Sequence, residues 1–163
     1  MLSGETAVGK YPALTVSTMS RIAEYTESVI KYGKRFINTE FQIKDTTDAI
    51  SHATCAMAMD LDAKAIVVCT VSGMTSRMVS RFRPPTNIIA VTTSERTWRK
   101  LSLSWGVMPA MIEEFVSTEV MFYHAVKIAK ERLKLSPSDK IVITGGTRNG
   151  VIGSTNLVKV ETI

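Results

Sequence analysis

Three short apolar runs limit what this 163-residue chain can become: AIVVC at 65–69, NIIAVT at 87–92 and IVIT at 141–144. Each is rich in β-branched residues and none alternates with polar ones. A run of that kind fits a strand covered on both faces, as in a parallel sheet. Parallel neighbours need a crossover between them, and the intervening segments are helical in pattern. "TSRMVSRFR" follows the first run and stops before Pro84-Pro85. "SERTWRKLSLSW", with Ser94 as its cap, follows the second and leads to a short third strand, "GVMPAMI". "STEVMFYHAVKIAKERLKL" opens on a capping signature at Ser117 or Thr118 and precedes "DKIVITGG". The last segment, "TNLVKVETI", does alternate. Alternation implies one exposed face, so it reads as an antiparallel edge strand.

Two helices precede this core. "PALTVSTMSRIAEYTESVIKYGKRF", residues 12–36, reads as one long helix with Pro12 in its first turn and apolar residues at three- and four-residue steps. "INTEFQIKD" reads as a linker. Residues 46–60 make a second, alanine-dense helix, with Asp45 or Thr46 as N-cap. The expected fold is α/β: a three-layer α/β/α sandwich with a mostly parallel five-stranded sheet and an antiparallel C-terminal edge strand, preceded by one long helix.

Composition removes several functions. No apolar run approaches a membrane span. The N-terminus lacks the basic and apolar regions of a secretory signal, so a cytoplasmic location is expected. The formal net charge of +5 is scattered rather than massed in a stripe with interleaved aromatics, so no nucleic-acid partner is expected. Cys55 and Cys69 sit in apolar surroundings and read as buried free thiols. His52 and His124 lie on helices without a supporting partner and read as packed residues. Trp98 and Trp105, seven apart, read as one helical face used for packing or a subunit contact.

Two loops can carry chemistry. In an open parallel sheet, ligands bind beyond the carboxyl ends of the strands, where the winding reverses. If strands one and four are neighbours there, "TVSGMTS" and "GGTRNGVIGSTN" meet. In the first, Gly73 permits close backbone approach, and the amides near Met74 and Thr75 start a helix and carry partial positive charge. The hydroxyls of Thr70, Ser72, Thr75 and Ser76 add donors. This is a phosphate cradle, or equally a well-capped helix with no ligand. In the second, Arg148 offers a counter-charge and Gly150, with its neighbouring glycines, a folded loop. The alternative there is a plain surface connection. "GGTRNG" lacks the Gly-Lys-Ser/Thr ending of a P-loop. No nucleophile–base pair or metal cluster is visible, so a free-standing enzyme is not expected.

"LSGETAVGKYP", "VSGMTSRMVSRFRPPTNIIAVT" and "DKIVITGGTRNGVIGSTNLVKV" occur in that order. Together they resemble the pyruvate kinase family over essentially the whole chain, with "SGETA", "RFRP" and "GSTN" as the specific combination. The resemblance implies that residues 1–38 are a remnant of a (β/α)8 barrel, its last loop and helix, and that 39–163 are the C-terminal domain. Met1 can then be an internal methionine. The parent enzyme converts phosphoenolpyruvate and ADP to pyruvate and ATP. The family's catalytic lysine and its Mg2+ and K+ sites lie upstream, so no cofactor is expected in this chain. The family's effector-phosphate loop maps onto Thr70, Val71, Ser72, Gly73, Met74 and Thr75, with Ser76 beside it, and the second effector loop onto 146–154, including Arg148 and Gly150. Met74 replaces a small basic or polar residue, and the animal-type tryptophan has no counterpart. AMP or a sugar phosphate such as a hexose monophosphate fits as effector. The implied partners are that effector and further copies of the chain, four in the parent. The alternative is a purely structural subunit-interface module.

Overall fold

The computed structural model describes residues 1–113, 117–147 and 153–163. The chain divides into two compact units, Met1–Lys31 and Tyr32–Ile163.

The first unit holds α1 (Gly4–Ala7) and α2 (Pro12–Val29), with Pro12 at the start of α2 where its missing N–H costs nothing. No residue of α2 is buried. The helix expected over 12–36 is therefore two helices. Ile30 turns extended (φ −70°, ψ 123°), and α3 (Tyr32–Asn38) begins beyond it. Two adjacent β-branched residues, Val29 and Ile30, and Gly33 weaken helix propensity here. The deciding term is tertiary. Phe36 is buried in the second unit, stacked on His52 at 4.7 Å and edge-on to Phe82 at 6.3 Å.

The second unit continues with α4 (Thr46–Asp60). Its N-cap is Asp45, whose carboxylate accepts the Asp48 amide at 2.8 Å. There follow β1 (Ala65–Cys69), α5 (Met74–Arg81), β2 (Asn87–Thr92), α6 (Glu95–Leu101), β3 (Val107–Met111), α7 (Thr118–Arg132), β4 (Lys140–Gly146) and β5 (Thr155–Thr162). Ser94 and Ser117 cap α6 and α7, accepting from Thr97 N and Val120 N. α6 is shorter than its expected 94–105. It ends at Ser102, so Trp98 and Trp105 do not share a helical face. Trp98 donates Nε1–H to the Pro109 carbonyl, while Trp105 packs on Tyr32 and under the Arg83 guanidinium.

The sheet order is β3-β2-β1-β4-β5. The first four strands are parallel and β5 is antiparallel to β4. The sandwich and its edge strand are as the run pattern implied. Two cores flank the sheet. On one face Cys55 and Ala58 of α4, Val79 of α5 and Leu101 of α6 cover Ile66, Val68, Ile88, Ala90 and Val142. On the other, Met121, Ala125 and Ala129 of α7 cover Val67, Ile89, Ile141 and Ile143. Alanines and Cys55 let the helices lie close to the strands. Each buried Ile or Val contributes about 1.5–3 kcal/mol. β1 lies between β2 and β4, so the winding reverses between β1 and β4.

Candidate effector site at the start of α5

The carboxyl end of β1 opens into the loop 70–73 at this reversal. Thr70 still belongs to the ladder, donating its amide to Val91 O at 2.9 Å. Gly73 then takes a left-handed conformation, φ 78° and ψ 2°, and starts α5. A side chain there is strained on backbone grounds alone. Two neighbours hold the turn from behind: Thr97 donates its hydroxyl to Val71 O at 2.8 Å, and Leu101 packs beneath.

The hydroxyls surround this turn. The Gly73 amide donates to Thr70 Oγ1 at 3.0 Å, and the Met74 amide to Ser72 Oγ at 3.4 Å. The second is at the outer limit of a hydrogen bond. Both residues thus cap the turn with oxygen lone pairs, and both can rotate to present O–H to an anion, since a hydroxyl donates as well as accepts. Thr75 is buried, its Oγ1 2.6 Å from Thr155 Oγ1. Ser76, fully buried, has no hydrogen-bond partner for its hydroxyl among the described residues. Met74 is exposed at the rim. Arg148 and Gly150 lie outside the described residues.

The sequence reading missed Arg77 and Thr155. Arg77 lies one turn after Gly73, with its guanidinium Nη1 3.4 Å from Ser72 O and Nη2 3.7 Å from Met74 Sδ. Its i,i+4 spacing from Gly73 was a usable signal. No local pattern marks Thr155. It is close to Thr75 because β5 starts opposite Gly146, beside a register shift at Gly145/Gly146. At Gly145 a Cβ would press on Cys69 of β1 at 3.2 Å, a tight contact. Gly146 is needed because a Cβ would collide with Ser154. Thr147 and Asn156 bridge the same hairpin through two side-chain bonds of 3.1 Å.

Elsewhere His52, Cys55 and Cys69 are engaged in packing. His52 sits among Phe36, Phe41 and Phe82. Burial pushes both thiols, Cys55 and Cys69, up to about 12. Among the described residues no group of His, Cys, Asp and Glu could hold a metal ion, and no helix is long and apolar enough to cross a membrane.

Residues 48–161 match the family model described as "Pyruvate kinase, alpha/beta domain". The chain belongs to the pyruvate kinase family. Over 164 residues it is 42% identical to a protein named pyruvate kinase from Clostridium acetobutylicum, covering all of this chain and 35% of that one. It is 40% identical over 165 residues to one from Staphylococcus aureus, strain USA300, covering all of this chain and 28% of the relative. The chain thus spans about a third of the length of these relatives. The described sheet is that of the pyruvate kinase C-terminal α/β domain, and α5 with its preceding loop lies within the matched residues.

Proposed function

We propose that the chain is the allosteric and oligomerisation domain of a pyruvate kinase, and that it binds a phosphorylated effector at the start of α5. The observation that carries this reading is the left-handed Gly73 turn at the winding reversal, ringed by Thr70, Ser72 and Thr75. A helix start with such donors favours an anion, and Arg77 adds positive charge at its rim. The parent enzyme, on this reading, moves a phosphoryl group from phosphoenolpyruvate to ADP and works in the cytoplasm. On this reading the Mg2+, the K+ and the catalytic groups belong to the part of the relatives that this chain does not span.

Residues 1–38 are, on the same reading, a remnant of the catalytic barrel, and 39–163 the regulatory domain. The exposed Leu14, Met19 and Ile22 of α2 fit a helix made to be covered by more protein. Arg148 and Gly150 are assigned to the second effector loop. The effector is a sugar phosphate or AMP. Calorimetry of the 163-residue chain with glucose 6-phosphate and with AMP tests the proposal. A saturable heat that Ser72→Ala with Thr75→Ala abolishes supports it; no heat up to millimolar ligand overturns it.

A purely structural role is favoured by a different observation. The two sheet edges are unlike. β3 carries Pro109, which has no N–H, and Trp98 occupies its carbonyl. Such an edge resists pairing. β5 has no proline, and no strand among the described residues pairs with its outer edge, which suits a second copy across a two-fold axis. If the Ser72 and Thr75 variants lose assembly rather than regulation, the structural role is the better account.

A further inference from the structure

Thr155 is 80 residues from Thr75 in sequence, yet the two hydroxyl oxygens lie 2.6 Å apart and both residues are buried. Each hydroxyl has one proton. One of the two protons makes the bond between them, and the other remains to donate elsewhere. If Thr75 donates to Thr155, its proton is spent. If Thr155 donates, the Thr75 proton is left for an acceptor at the start of α5.

We propose that Thr155 is a positioning residue that orients the Thr75 hydroxyl toward a bound anion and so ties occupancy of that site to edge strand β5. The inference rests on the effector site proposed above. An anion at the start of α5 selects the arrangement in which Thr155 donates to Thr75 and Thr75 donates to the anion. Hydrogen bonds in such a chain strengthen one another. The partner that is strengthened is the first residue of β5.

The surroundings make that residue a control point. Thr155 pairs with Gly146 where the β4–β5 register shifts, and the ladder is next braced by Thr144 Oγ1 donating to Leu157 O at 2.9 Å. The collision that any Cβ at Gly146 would have with Ser154 shows how tightly the strands close there. Gly145 packs on Cys69 of β1, so β4 offers little slack. The position of Thr155 therefore fixes where β5 begins, and Thr75 is its link to α5.

The test uses the 163-residue chain with inorganic phosphate as probe, read by hydrogen exchange and by titration. In the unaltered chain, phosphate should slow exchange both in the first turn of α5 and over 156–158. Thr155→Val keeps the shape but not the hydroxyl. It should weaken phosphate binding about fivefold and abolish the β5 response while the α5 response persists. Thr155→Ser should restore both. A β5 response that survives in the valine variant, or that serine fails to restore, overturns the coupling and leaves the effector site standing. No phosphate response in α5 of the unaltered chain removes the effector site, and the coupling with it. A measurement without variants gives the same decision if the valine chain does not fold. The Thr155 methyl resonance should shift along the same saturation curve as the amides of 73–76, and a fixed methyl overturns the proposal.

Discussion

Gly73→Ala probes whether the turn that opens α5 is held as tightly as the geometry indicates. Three terms set the cost. A single alanine forced into the left-handed region costs roughly 1–2 kcal/mol. Its Cβ would lie 3.1 Å from Thr97 Cγ2, 3.2 Å from Leu101 Cδ2 and 3.1 Å from Arg77 Nη1. The exposed arginine can swing away, but Leu101 is 1% exposed and Thr97 8%, so both must shift within packed surroundings. Overpacking of that kind costs about 1–3 kcal/mol. The smaller entropy of the unfolded alanine chain returns about 0.4–1 kcal/mol. The net loss is about 1–4.5 kcal/mol, near 3 at the middle of the ranges. Urea unfolding followed by tryptophan fluorescence reads it, because the chain's two tryptophans, Trp98 and Trp105, both lie in the Tyr32–Ile163 unit. Gly153→Ala is the control: its φ is +79°, but a Cβ there meets nothing within 4 Å among the described residues, so it carries the strain and entropy terms without the packing one. If Gly73→Ala costs no more than Gly153→Ala, Thr97 and Leu101 do not brace the turn and the reasoning fails.

With thiols pushed up to about 12 by burial, only about one Cys55 or Cys69 in ten thousand is thiolate at about pH 8. Ellman's reagent should therefore modify the native chain only as fast as it opens, and both cysteines at once in urea; rapid native modification would contradict the buried placement. Asp48 is buried on α4, accepts the Lys44 amide at 3.2 Å and pairs with Arg81 of α5 at 3.5 Å. Asp48→Ala should lose about 1–2 kcal/mol in urea unfolding, with Asp48→Asn recovering part of it. Glu119, in the first turn of α7, is held below the usual carboxylate range by its own backbone amide and then by the Ser117 hydroxyl. A lowered folded value means that the stabilisation is complete above the ordinary carboxylate range and is lost as pH falls through the lowered one. Amide exchange at the start of α7 should quicken over that acid window in the unaltered chain but not in Glu119→Gln.

The layers of the fold could be read from the sequence because burial on both faces leaves a signature in each strand. AIVVC has no polar position to alternate with, and β1 is buried at all five residues. The caps at Asp45, Ser94 and Ser117 were equally readable, since capping is a local hydrogen bond between near neighbours. Helix ends set by distant contacts were not. Nothing near Ile30 announces that Phe36 will be claimed by His52, Phe41 and Phe82. The serines after Leu101 end α6 before Trp105, which separates two tryptophans that spacing had put together. The candidate site divides in the same way. The hydroxyl-and-glycine loop 70–76 stands out as a string. Its links to Thr97 and Thr155 are products of the sheet order, and no spacing rule spans 26 or 80 residues.

The most direct examination of the proposed anion site is an amide-resolved NMR titration of the chain with glucose 6-phosphate. The account predicts saturable shifts centred on Gly73, Met74, Thr75 and Ser76, with the far ends of the strands at Ala65 and Asn87 unmoved. Shifts centred elsewhere, or none at millimolar ligand, would contradict it.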